Sequence, residues 1–207
     1  LPRFSLHASL AVSSASAEIL PTASAQQSLA WRNAWYPVAF LRDLDPDRPT
    51  GFTLLGDDLV LWFDRKGTAG SEAAGGQWRA FADVCPHRLA PLSEGRLNSA
   101  GELECPYHGW TFDGQGRCTA IPQASAASQP SDRRSSCRAY ATATGQDMLF
   151  VFAGAPEAAV AVPLPLVPVL EDTQAGWLVQ DTFRDLPYDA LTLLENVLDV
   201  SHVPFTH

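Results

Sequence analysis

Residues 85–110, CPHRLAPLSEGRLNSAGELECPYHGW, decide how this chain is read. The stretch opens on Cys85-Pro-His87-Arg and closes on Cys105-Pro-Tyr-His108-Gly-Trp, so each end supplies one thiolate sulfur and one imidazole nitrogen. Pro and Gly beside these donors stiffen their loops and let backbone amides approach a bound sulfur. Two thiolates and two imidazoles on two matched loops are the donor set of a [2Fe-2S] cluster with Cys on one iron and His on the other. A tetrahedral zinc site uses the same residue types, but zinc fingers group Cys with Cys and His with His. Replacing two thiolates by neutral imidazoles removes negative charge, so such a cluster is reduced at about −150 to +300 mV, against about −400 mV for an all-cysteine one.

Outward from this stretch the pattern is β. AWYPVAFL (34–41), FTLLGDDLVLWF (52–63) and QWRAFADV (77–84) are short apolar runs rich in aromatic and branched residues, and Gly56-Asp57-Asp58 reads as a hairpin turn inside the second. Further strands are expected in TFDGQGRCTAI (111–121), CRAYATAT (137–144) and MLFVFAG (148–154), with GTAGSEAAGGQ (67–77) as a surface loop. Short strands separated by Gly-rich turns predict a mainly β, antiparallel domain over 31–154. Cys118 and Cys137 lie outside the ligand loops and read as buried free thiols.

The chain has 207 residues and 46% hydrophobic content, enough for one domain and the start of a second. With 14 Lys and Arg against 23 Asp and Glu, its formal charge of −9 has the wrong sign for a nucleic-acid partner. Residues 1–30 hold seven Ser, seven Ala and one acidic residue, Glu18, which fits an organelle transit peptide or a disordered tail. The sequence starts at Leu1 and stops at His207 inside a motif, which reads as a fragment. No apolar run reaches the ~18 residues of a membrane span. AAVAVPLPLVPVL (158–170) is broken by Pro163, Pro165 and Pro168, so 155–176 is expected to be a semi-rigid linker.

After the linker the period becomes helical. In DALTLLENVLDVSH, Leu191, Leu194, Leu198 and Val197 form an apolar stripe, Asp189 is placed to cap the helix, and Pro204 is expected to end it. His202 and His207 follow. Two His with one carboxylate, leaving open positions, are what a mononuclear Fe(II) site uses to activate O2. Asp199, three residues before His202, is placed either to reach the metal or to orient an imidazole, and Glu195 has the weaker case.

Together the two constellations resemble the Rieske non-haem iron oxygenases. The resemblance is strongest to the plastid group of pheophorbide a oxygenase, chlorophyllide a oxygenase and the translocon-associated Rieske proteins. It is carried by WRNAWYPVAFLRDLDPDRPTGFTLLGDDLVLWFDR, CPHRLAPLSEGRL, ECPYHGWTFDGQGRCTAIPQA and LPYDALTLLENVLDVSHVPFTH. It implies an antiparallel Rieske domain, then the start, a strand plus a helix, of an α+β catalytic domain at 177–207. Cys85, His87, Cys105 and His108 would hold the cluster, and His202 and His207 the iron, with an acidic third ligand beyond the chain end. Asp199 would match the aspartate that bridges the cluster of one subunit to the iron of its neighbour in a homotrimer. Electrons from a ferredoxin would pass that bridge, and the iron would activate O2 to oxidise a chlorophyll-derived tetrapyrrole in the chloroplast. Any membrane anchor would lie beyond this segment. A Rieske electron carrier without oxygenase activity, or a redox-sensing subunit of plastid import, are the alternatives, and the 177–207 segment speaks against a carrier.

Overall fold

The computed structural model describes residues 31–67, 75–125, 133–171, 176, 179–182, 184 and 186–206. The expected transit peptide over 1–30 and the expected iron ligand His207 lie outside them. The chain divides into two compact units at Pro165/Leu166.

In the first unit every strand pairing is antiparallel. One sheet runs in the order β2 (Thr50–Leu54), β3 (Asp57–Asp64), β4 (Gln77–Ala82), β9 (Ala139–Tyr140). A second places β11 (Met148–Phe152) between β1 (Trp35–Phe40) and β10 (Thr142–Gly145). A third, of very short strands, orders β5 (Arg96–Leu97), β6 (Leu103–Glu104), β7 (Thr111–Phe112) and β8 (Cys118–Ala120).

Strand β3 contributes to two cores, one on each of its faces. Side chains alternate along a strand, so Leu59 and Leu61 enter one core with Val38, Trp78, Leu149 and Val151. Val60 and Trp62 enter a second with Phe81, Leu92, Leu103, Phe112 and all four cysteines. A strand buried on both faces has no polar side to show, which is why LVLWF reads as an unbroken apolar run. Burying Phe81 and Phe112 contributes about 1.5–3 kcal/mol each. Edge-to-face ring pairs fix the register, with Phe63 on Trp78 at 5.2 Å and Trp62 on Phe81 at 5.5 Å.

The β2–β3 hairpin turns one residue earlier than the sequence predicts. Leu55 (φ 50°) and Gly56 (φ 84°) form a two-residue turn with both dihedrals positive, and Asp57 and Asp58 belong to β3. Tertiary partners hold the two aspartates in the strand. Asp57 pairs with Arg32 and accepts from the Tyr140 hydroxyl, and Asp58 accepts from Thr53 Oγ1 at 2.8 Å. After β11 the chain makes a 3-10 turn, Pro156–Ala161, that buries Ala159, and the Trp35 indole donates to the Val162 carbonyl at 2.8 Å. The Pro-rich stretch is therefore fastened to the first unit where it begins.

In the second unit, α1 (Ala190–Leu198) starts where expected, with the Asp189 carboxylate accepting from the amides of Leu191 and Thr192. It ends earlier than Pro204. Asp199 leaves helical geometry, Val200–His202 forms a 3-10 turn, and Pro204 falls in the first turn of α2 (Val203–Thr206), where its missing amide hydrogen is no loss. Leu191, Leu194, Val197 and Leu198 are all exposed. The residues described between 176 and 189 contain no strand. Among the described residues no helix is long and apolar enough to cross a membrane.

Candidate metal centre

The loop that carries Cys85 and His87, the first loop, joins β4 to β5, and the loop that carries Cys105 and His108, the second, joins β6 to β7. The two close with the same hydrogen bonds. Cys85 donates its amide to Ala90 O at 2.8 Å, and Leu89 donates to Cys85 O at 2.8 Å. Cys105 donates to Trp110 O at 2.8 Å, and Gly109 donates to Cys105 O at 3.1 Å. Both loops reverse through a left-handed residue, Leu89 in one and Gly109 in the other.

Each loop is also braced from outside its own sequence. The Asp83 carboxylate accepts from Ser93 N at 2.7 Å and Ser93 Oγ at 2.6 Å, tying together the two ends of the first loop. Gln123 Nε2 donates to His108 O at 3.0 Å, and a Cβ at Gly109 would stand 3.2 Å from the Pro122 ring. The sequence does not single out Asp83, Ser93 or Gln123, because their bracing bonds arise only when the loops fold. The Asp83–Ser93 spacing was visible; its meaning was not.

These loops put Cys85 and Cys105 in one core and bring the His87 and His108 rings together, with depth sorting the four by type. Cys85 and Cys105 are 1% and 2% exposed and sit in the second core, His108 is half-buried and His87 is exposed. Burial first, with the neighbouring Cys105 thiol adding to it, pushes the Cys85 thiol up to about 11, while the His87 and Arg88 amides act in the opposite direction. The His87 and His108 rings lie 4.7 Å apart at 63°, Trp110 stacks on His87 at 4.7 Å, and Tyr107 tilts over His108 at 4.0 Å. Desolvation, with His108 and Arg88 close by, lowers the His87 pKa and favours its neutral form. His108 Nδ1 is buried and has no hydrogen-bond partner.

Cys118 and Cys137 share this core as free, buried thiols, as the sequence predicts. Burial raises Cys118 to about 11, and burial followed by the neighbouring thiols raises Cys137 further. Among the described residues no three His, Cys, Asp or Glu side chains converge on a single metal position. A cluster that divides its donors two and two between its irons has no need of three at one point.

The second constellation is described as far as His202. Asp199 caps the 3-10 turn, its carboxylate accepting from Ser201 N at 3.0 Å and from the Ser201 hydroxyl. These bonds, the hydroxyl's first, lower the Asp199 pKa and keep it ionised. The ring of His202 places Nδ1 against the Asp199 backbone carbonyl and 3.9 Å from Asp199 Oδ2. Glu195 accepts the Asp199 amide through its backbone carbonyl.

Residues 34–140 match the model of the Rieske [2Fe-2S] domain, and the chain belongs to that family of iron–sulfur proteins. Among its relatives is the chloroplastic pheophorbide a oxygenase of Oryza sativa subsp. japonica, 44% identical over 192 residues, which are 90% of this chain and 35% of that protein. The chloroplastic flavonoid 8-hydroxylase 2 of Ocimum basilicum is 38% identical over 197 residues, 92% of this chain and 36% of that protein. The crystal structure of dicamba monooxygenase aligns with a TM-score of 0.57 and 31% identity, over 69% of this chain and 41% of that one. The chain thus spans about a third of the length of the curated relatives it matches.

Proposed function

We propose that Cys85 and Cys105 ligate one iron of the [2Fe-2S] cluster and His87 and His108 the other, and that the chain is the cluster-bearing part of a plastid oxygenase acting on a chlorophyll-derived tetrapyrrole. One observation carries the ligand assignment. His108 Nδ1 is withheld from water and given no partner beside the His87 ring, while the two cysteines it would join are buried in one core. A buried imidazole nitrogen left unpaired is costly unless something accepts its lone pair, and iron does. With the thiols deep and the imidazoles shallow, Cys85 and Cys105 would hold a cluster from the core side, and His87 and His108 from the side nearer solvent, by which an electron would enter or leave.

Residues 31–154 form the cluster domain in this reading, 155–176 a linker, and 177–207 belong to a mononuclear-iron domain. When bound, the cluster supplies one-electron transfer and the mononuclear iron the reductive activation of O2. The Asp199 carbonyl, facing His202 Nδ1, would accept a hydrogen bond from that nitrogen, which fixes the tautomer whose Nε2 lone pair would hold iron. His207 supplies the second imidazole, and an acidic residue outside this chain supplies the third ligand. The Asp199 carboxylate, held ionised by Ser201, bridges to the cluster of a neighbouring copy in a homotrimer. The electron donor is a ferredoxin. Preference for a tetrapyrrole rests on 44% identity to pheophorbide a oxygenase against 38% to the flavonoid hydroxylase, and the chloroplastic names of both relatives support a plastid location.

The test uses protein extended to the length of its relatives, loaded with iron, with reduced ferredoxin and isotopically labelled O2. Label appearing in an oxidised pheophorbide product supports the reading. Label appearing only in a flavonoid overturns the substrate class, and reduction of the cluster without uptake of O2 by any substrate makes the protein an electron carrier.

A further inference from the structure

The second loop places an aromatic wall on His87 that a ligand set alone does not require. Trp110 lies parallel to the His87 imidazole, the planes differing by 4° and the centroids 4.7 Å apart. The indole is half-buried and packs against the core that contains Cys85 and Cys105. Its Nε1 is buried without a hydrogen-bond partner, so packing and the stack, not a hydrogen bond, hold the ring in this plane. His87 is otherwise exposed, and the His108 ring meets it edge-on at 63°. One face of the outermost imidazole is therefore covered by an apolar surface that is itself anchored to the interior.

Resting on the assignment of His87 as a ligand of the outer iron, we infer that Trp110 is a positioning residue that fixes the plane of the His87 ring and lowers the reduction potential by keeping water from one of its faces. The sign follows from charge. Two ferric ions, two sulfides and two thiolates sum to zero, and one electron taken from a donor leaves the cluster at −1. Water stabilises the charged state more than the neutral one, so a group that excludes water from the histidine iron disfavours reduction. Taking the indole away admits water and raises the potential. A ring released from the stack also turns relative to the iron, which alters the anisotropy of the reduced cluster's EPR signal.

Two substitutions separate the stack from the indole N–H. Trp110→Phe keeps an apolar ring over His87 and lacks the N–H, whereas Trp110→Leu lacks both. Redox titration of the cluster-loaded chain with dithionite, followed by EPR, reads the outcome, with iron and sulfide content measured on the same samples. For Trp110→Leu we expect a shift of roughly tenfold toward the reduced form, ~59 mV upward for a one-electron couple, with changed g-value spread. For Trp110→Phe we expect the potential and g values of the wild type. Should the leucine variant lose its iron, Trp110→Met, which cannot stack, takes its place with the same expectation. A leucine or methionine variant with full iron and a wild-type potential and spectrum overturns the inference. So does a phenylalanine variant that shifts as far as the leucine one, which would place the effect in the N–H. Wild-type chain lacking iron and sulfide would instead remove the ligand assignment itself.

Discussion

Leu89 and Gly109 occupy one backbone position in two different loops. They stand four residues after Cys85 and Cys105, each is left-handed (φ 58° and 71°), and each gives its amide to that cysteine's carbonyl. Only one of them has the side chain that this conformation disfavours. Leu89 carries its side chain there 74% exposed, whereas a Cβ at Gly109 would press on Pro122 at 3.2 Å. Gly109→Ala should therefore destabilise by roughly 1–2 kcal/mol, and Leu89→Gly should lie within about 0.5 kcal/mol of wild type. Denaturant unfolding of the two variants checks this asymmetry, and equal losses at both positions would refute it.

Asp64 is a second place where burial sets the magnitude. It is 3% exposed, accepts from Arg79 Nη2 at 3.1 Å and Nε at 3.2 Å, and takes the Lys66 amide at 3.1 Å. Arg79→Ala leaves a buried carboxylate without its cation and should cost about 3–5 kcal/mol. Adding Asp64→Asn should recover part of that loss, because the neutral amide has less solvation to forgo. A double variant less stable than Arg79→Ala alone would contradict this.

The buried thiols make stability fall at alkaline pH. Cys118 is raised from 9.0 to about 11 and Cys137 is raised as well, so the fold favours their protonated forms. That contribution is present in full below the unfolded value near 9 and is lost as pH climbs toward about 11. Unfolding free energy measured between pH 8 and 11 should decline, and the decline should flatten in a Cys118→Ala, Cys137→Ala chain. At pH 8 neither thiol should react with iodoacetamide until the protein unfolds.

For Asp199 the bridge and ligand roles diverge under a single change in the protein extended to the length of its relatives. Asp199→Asn keeps shape but weakens the charge-assisted bonds that would couple the two centres. If Asp199 is the bridge, iron stays bound and the cluster is still reduced by ferredoxin, but its reoxidation with substrate and O2 nearly stops. If Asp199 is a ligand, the mononuclear iron is lost and the cluster is unaffected. Metal content and single-turnover reoxidation on one preparation decide between them, and a variant retaining both iron and fast reoxidation defeats both.

What the sequence disclosed followed how local each signal was. Cys85, His87, Cys105 and His108 were legible because donor type and loop punctuation both sit within a few residues of one another. The long strands and the Asp189 cap were legible from period and local hydrogen bonding. The Gly56-Asp57-Asp58 turn was misplaced because the aspartates are kept in β3 by Arg32, Tyr140 and Thr53, none of which is a local signal except Thr53. Strands β5 and β6 have two residues each, too short to show any period. Pro204 predicts a stop by itself, yet a proline suits a helix's first turn as well as the position after its end. The stack of Trp110 on His87 exists only when the two loops meet, so no pattern within either one announces it.

The most direct test of the account is iron and acid-labile sulfide analysis of the purified chain, with EPR after reduction. Two irons and two sulfides per chain, with a rhombic signal of low average g that is lost in Cys85→Ser, are the result predicted for cysteine and histidine ligation. Stoichiometric zinc without sulfide would contradict it.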